Sequence, residues 1–151
     1  TKIRPNNMLN PILPAETGQV LALGRGAALR VLAAGERGAV FLLKWGNFRA
    51  VLPVGPNFAD LAALEYGKAT GPVTALLLAD HGYAHSNPPG WIASLHPQVV
   101  LLSVAAGNRE CLPSPETLQA IQGYALLRTD QNGWIELTTD GEQLWVEVER
   151  K

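Results

Sequence analysis

The sequence predicts an α/β domain with a mixed sheet, peripheral helices and a C-terminal β-meander. Three observations lead there. Short apolar runs separated by glycines follow one another quickly after Gly18, as strands joined by tight turns do. Two apolar runs without alternation come next, VTALLLA (73–79) and QVVLLSV (98–104), with a short helical segment after each; such runs suit central strands covered on both faces. The last segments alternate apolar with polar residues, which marks strands with one covered and one wet face.

The elements can be justified in order. Residues 1–17 carry Pro5, Asn6, Asn7, Pro11 and Pro14 without any apolar period, so they read as an extended, protease-sensitive arm or linker, with the domain proper at 18–151. Strands are expected at 20–23, 27–33, 39–45 and 48–53, the last two (AVFLLKW and NFRAVLP) forming a hairpin around Gly46-Asn47. The pattern changes at Pro56, where Asn57 can cap a helix with Leu61 and Leu64 on its inner face, ending near Gly67. Asn87-Pro88-Pro89 opens a short helix through Trp91, Ile92 and Leu95. Ser114-Pro115-Glu116 opens another through Leu118 and Ile121, each with a capping side chain before a first-turn proline. The chain then returns to β structure: YALLRT (124–129), a turn at Asn132-Gly133, WIELTT (134–139), a turn at Asp140-Gly141, and QLWVEVE (143–149).

Composition narrows the function classes. With 151 residues, 47% hydrophobic and 17% charged, the chain fits one compact domain and not a disordered one. A domain of this size needs no disulfide or structural metal, and the single Cys111 has no internal partner. No apolar stretch approaches the ~20 residues of a membrane helix, and the first residues lack the order of a signal peptide, so the chain itself requires no membrane contact. It opens on Thr1, as a processed protein or a piece of a longer one does. A net charge of −1 withholds the general basic footprint of nucleic-acid binding, although Arg25, Arg30, Arg37, Lys44 and Arg49 can form a local patch.

One turn stands out for chemistry. Asp80-His81-Gly82 follows a buried strand, and α/β proteins place ligands and catalytic groups at the carboxyl ends of such strands. His85 lies close behind, and Asp60, Glu65 and Glu110 can approach in the fold, which allows a His–carboxylate metal cluster. The plainer reading is a polar turn in which Asp80 and Ser86 satisfy loop amides. His96 precedes Pro97 at a helix end and reads as a capping or surface residue. Cys111 has no His nearby in sequence to activate it and reads as a small buried apolar side chain. Ser103 lacks the G-x-S-x-G setting of a nucleophile, and Gly24-Arg25-Gly26 opens a strand instead of a helix, so it is a turn and not a phosphate loop. The four tryptophans (Trp45, Trp91, Trp134, Trp145) are scattered over different elements, as core or rim residues are.

Taken in order, ALLLADHGYAHSNPPGWIASLHPQVVLLSVAAGNRECLPSPETLQAI and YALLRTDQNGWIELTTDG resemble the C-terminal half of the metallo-β-lactamase-like domain of ComEC-type competence proteins. Upstream, ALRVLA and AVFLLKWGNFRAVLPVG resemble that family's strand pair ending in Thr-Gly-Asp, so the similarity covers most of 18–151. It is most specific between Asp80 and Leu126, where the turns, the helix lengths and Gly107-Asn108-Arg109 fall in family order. The resemblance implies a sandwich of two sheets with helices outside, and a parent system of DNA uptake in natural transformation. It implies equally where the chain departs. Thr-Gly-Asp is Val54-Gly55-Pro56 here, His-His-Gly-Ser is Asp80-His81-Gly82-Tyr83, and His-Pro-His is Leu112-Pro113-Ser114. The family's upstream His-x-His-x-Asp-His cluster has no counterpart, because no His precedes His81.

Metal-assisted hydrolysis needs several ligands converging on each ion, and one Asp and one His on a single turn do not supply them. The expectation is therefore a degenerate, partial metallo-β-lactamase-like domain without catalytic residues, cofactor or metal, with Asp80 and His81 as the vestige of the site. It would serve as a structural or interaction module of a ComEC-type protein at the cell membrane. The alternative is a metallohydrolase or nuclease whose missing ligands come from another chain or segment; a DNA-binding module is a third reading. A homodimer, or packing on another domain of the parent protein, is expected if the sheet face normally covered by the family's first half is left open.

Overall fold

The computed structural model describes residues 14–36, 38–55 and 70–150. Most of the N-terminal arm and the whole helix expected after Asn57 lie outside the described residues, as do Asp60 and Glu65.

Four strands, β1 (Val20–Gly24), β2 (Ala27–Gly35), β3 (Gly38–Trp45) and β4 (Phe48–Val54), form an antiparallel meander. The β3–β4 hairpin closes at Gly46-Asn47 with Trp45 opposite Phe48, as the sequence spacing predicts. Gly46 takes φ +55, a conformation that tight hairpin turns demand and glycine supplies freely. Strands β5 (Ala75–Leu77), β6 (Val99–Leu102) and β7 (Ala125–Arg128) then add in parallel, giving a seven-stranded sheet in the order β1-β2-β3-β4-β5-β6-β7. Helix α1 (Pro89–Leu95) joins β5 to β6 and helix α2 (Pro115–Ala120) joins β6 to β7. The described residues form a mixed α/β structure with few helices.

Strand alternation divides the core into two. On the helix side Leu42, Val51, Leu76, Val100 and Leu102 meet Trp91, Ile92 and Leu95 of α1, all buried. The register of β2 against β3 shifts between Val31 and Ala33, and this irregularity lets both Leu32 and Ala33 join that core. On the other side Phe48, Ala50, Ala75 and Val99 are buried with Leu43, Leu52, Leu101 and Leu127 packed around them.

The cover of that second face corrects one expectation. There is no terminal three-stranded meander: β7 has Leu126 in the helix-side core and Leu127 in the other, so it belongs to the parallel sheet as its last strand. A helical turn α3 (Thr129–Asn132) and Gly133, at φ +71, then reverse the chain. Strands β8 (Ile135–Thr139) and β9 (Leu144–Val148) form a separate antiparallel hairpin, whose Leu137 and Leu144 pack on the second core. The tip of this hairpin reaches the β3–β4 turn, where the Asn47 amide donates to the Gly141 carbonyl at 2.6 Å.

The two helices predicted within the described residues form, but their expected caps do other work. The residue before α1 is Pro88, and Pro89 opens the helix without a side-chain cap; Ser114 precedes α2 and makes no cap hydrogen bond either. Asn87 and Ser114 spend their polar atoms on the loop after β5 instead.

Candidate functional site

The parallel register brings the carboxyl ends of β4, β5 and β6 side by side, the place where open α/β sheets hold ligands. A cleft of about 420 Å³ opens there, between Val54 and Gly55 of the β4 end, Leu77 of β5 and Leu78 just beyond it, Ser103 beyond β6, and the Asp80–His81 turn.

That turn is held in an unusual conformation. Asp80 (φ 45°) and His81 (φ 52°) are both left-handed, uncommon for residues with a Cβ, and persist only where surrounding structure fixes them. Buried Asn87 supplies the frame. Its Nδ2 donates to the carbonyls of Ala79 (2.9 Å) and Tyr83 (2.8 Å), while its Oδ1 accepts from the Ala79 amide (2.9 Å). The segment before α2 closes the other side: the Ser114 hydroxyl accepts from the Ala84 amide at 3.1 Å, and the Ser114 amide donates to the Gly82 carbonyl at 3.0 Å. Gly82 is buried at φ +84, and a Cβ there would fall 2.6 Å from that of Pro113, so only glycine lets the loop dock so closely.

The turn presents one imidazole and one carboxylate. His81 Nδ1 lies 2.8 Å from the Ser103 carbonyl. A carbonyl only accepts, so Nδ1 carries the proton and, in the neutral ring, Nε2 keeps its lone pair. The same arrangement orients imidazoles that bind metals. His81 also lines a second hollow of about 190 Å³, together with Val104, Ala105, Asn108, Glu110 and Leu112. Asn108 shapes its rim, with Nδ2 donating to the Leu112 carbonyl at 2.7 Å and Oδ1 accepting from the Leu112 amide at 2.9 Å. Among the described residues no group of three His, Cys, Asp or Glu side chains is placed to hold a metal ion.

The sequence-predicted residues are therefore only partly brought together. Asp80, His81 and Glu110 border the two hollows. His85 is exposed and stacks on Tyr83, ring centroids 5.1 Å apart. His96 is the left-handed residue that ends α1. Cys111 is exposed and not the buried apolar residue expected, because it sits at φ 55° in the loop that Asn108 closes. Nor do Asp80 and Ser86 satisfy the loop amides: the Ser86 hydroxyl donates to Asp80 Oδ2 at a long 3.5 Å, while Asn87 and Ser114 accept from the amides. Ser103, weighed only as a nucleophile, contributes its carbonyl to His81. The signal that could have found these residues is the clustering of Asn and Ser in loops beside strand ends, where buried amides need acceptors.

Fold and site together define an α/β protein with a ligand-sized cleft at the carboxyl edge of its parallel strands. Comparison with protein-family models, with curated proteins and with solved structures finds no match.

Proposed function

We propose that this chain is a degenerate metallo-β-lactamase-like domain of the ComEC type, acting as a structural or interaction module of a DNA-uptake protein and not as a hydrolase. The observation that carries the reading is the lining of the cleft at the carboxyl ends of the parallel strands. At the point where the resembled family converges its ligands on metal, this cleft offers aliphatic Val54, Leu77 and Leu78 around one carboxylate, Asp80, and one imidazole, His81. Such a lining does not lower the pKa of a water to make a nucleophile, which takes several ligands around an ion. The loop is framed by protein groups, with Asn87 and Ser114 bonded to its backbone and Gly82 packed against Pro113. In this reading β5-α1-β6-α2-β7 is the scaffold of the family's C-terminal half, and the β8–β9 hairpin covers its second face. A full two-sheet sandwich needs further strands, which a partner domain or a second copy would supply.

The test is zinc and manganese titration of the purified chain by calorimetry, alongside a nuclease assay on single-stranded DNA. The reading expects no binding tighter than adventitious and no cleavage above a metal-free control. Stoichiometric zinc uptake that His81→Ala abolishes would overturn it in favour of a metallohydrolase.

A further inference from the structure

Strand β1 is one of the two edges of the seven-stranded sheet, and among the described residues no strand pairs with its free side. All of it is exposed: Val20 is 60%, Leu21 43% and Leu23 57% accessible. Single exposed aliphatics are ordinary, but three within four positions on an edge with neither charge nor proline in the strand call for a partner. Cations stand on the Val20 face, while Leu21, opposite Leu29, points to the other side of the edge. Register pairs Val20 with Arg30, Ala28 with Lys44 and Lys44 with Arg49, so Val20, Arg30, Lys44 and Arg49 share one face in adjoining rows, and Arg25 occupies the tip of the β1–β2 hairpin. Lys44 stands directly opposite Arg49, whose guanidinium donates to the Thr70 carbonyl at 2.9 Å. Among the described residues the one ion pair is Arg128–Asp130, so Arg25, Arg30 and Lys44 have no acidic partner there. Residues 18–55 hold five cations against the single acid Glu36.

We propose that the β1 edge docks on an anionic lipid bilayer, with Val20, Leu21 and Leu23 entering the headgroup zone and Arg25, Arg30 and Lys44 meeting lipid phosphates. A nucleic acid answers the cations but leaves the aliphatic side chains wet. A second copy answers the aliphatics, but antiparallel β1–β1 pairing brings two sets of Arg25 and Arg30 together, and a five-residue strand is short for a stable interface. A bilayer surface accepts apolar side chains and cations at once. The unpaired backbone groups of β1 hold the contact at headgroup depth, since they require hydrogen-bond partners that hydrocarbon lacks. No described helix is long and apolar enough to cross a membrane, and the contact needs none. It uses no residue of the cleft.

The experiment is co-sedimentation of the whole chain with vesicles of mixed phosphatidylglycerol and phosphatidylcholine, or of phosphatidylcholine alone. Binding is expected to the mixed vesicles, at least about tenfold weaker in roughly 0.5 M salt because of screening. Arg30→Gln should weaken it about fivefold, and Leu23→Ser should weaken it too, with far-UV spectra unchanged, since both side chains are exposed. Absence of binding, equal binding to both vesicle types, or indifference to both substitutions overturns the proposal. So does binding to a single-stranded oligonucleotide without binding to vesicles, or a dimer that Leu23→Ser dissociates while vesicles stay unbound.

Discussion

Replacing Asn87 by alanine should loosen the cleft loop and lower global stability together. The side chain is 1% accessible and makes three hydrogen bonds to backbone groups of the turn. At roughly 1 kcal/mol net for each bond, Asn87→Ala should cost about 3 kcal/mol, more if the Ala79 amide is left buried without an acceptor. For a domain of this length that is a fall in Tm of roughly 6–12 °C. Asn87→Asp should be worse despite its similar shape, because a carboxylate oxygen replaces the amide nitrogen and faces the carbonyls of Ala79 and Tyr83. Urea unfolding followed by circular dichroism reads the change as a shift in midpoint at constant slope. A loss below about 1 kcal/mol in the alanine variant, or an aspartate variant as stable as the parent, would refute the assignment of Asn87 as the frame.

Three further outcomes follow from the same geometry. Long-range nitrogen–proton spectra at alkaline pH should find His81 as the Nδ1–H tautomer, set by the Ser103 carbonyl at 2.8 Å; an Nε2–H ring would contradict that hydrogen bond. The Arg128 guanidinium, bonded to both oxygens of Asp130 at 3.0 and 2.6 Å, holds that carboxyl below its ordinary 3.8. A depressed carboxylate stabilises the fold above its unfolded value and loses that contribution as pH falls. Asp130→Asn should therefore cost about 1 kcal/mol at pH 7, and the gap should narrow as pH falls below 3.8 in parallel denaturation series; a gap constant with pH would exclude the pair as its source. Gly46→Ala places a methyl 2.6 Å from the Gly141 carbonyl at a positive φ, so it should cost about 1–3 kcal/mol and raise hydrogen exchange along β8 and β9; unchanged exchange would mean that the hairpin does not depend on this contact.

How far the sequence could be read depended on the range of the interaction. Hairpin β3–β4 and the parallel strands β5 and β6 were legible because glycine turns and unbroken apolar runs are local signals. The partner of β7 was not, because YALLRT has one leucine for each core, and nothing in that segment tells a sheet strand from a meander strand. Asn87 and Ser114 were recognised as polar residues ahead of helices, but their true acceptors and donors lie in the turn after β5. Asn87 is eight residues from Ala79, and Ser114 is thirty from Ala84. For the site, the Asp80–His81 turn was found from its place after a core strand, whereas the Ser103 carbonyl that orients the imidazole is backbone and leaves no mark in sequence.

The β8–β9 hairpin has a consequence for synthesis of the chain. Its Leu137 and Leu144 cover a sheet face built from residues as early as Leu43 and Phe48, and its tip bonds back to Asn47 across ninety-four positions. A nascent chain can assemble β1 to β4 from nearby contacts well before the ribosome reaches Leu144. Until then Phe48, Ala50, Ala75 and Val99 form an apolar floor without a roof. The vulnerable species for aggregation is thus the almost complete polypeptide, and chaperone binding during translation should peak after β7 has emerged and fall once the last hairpin closes.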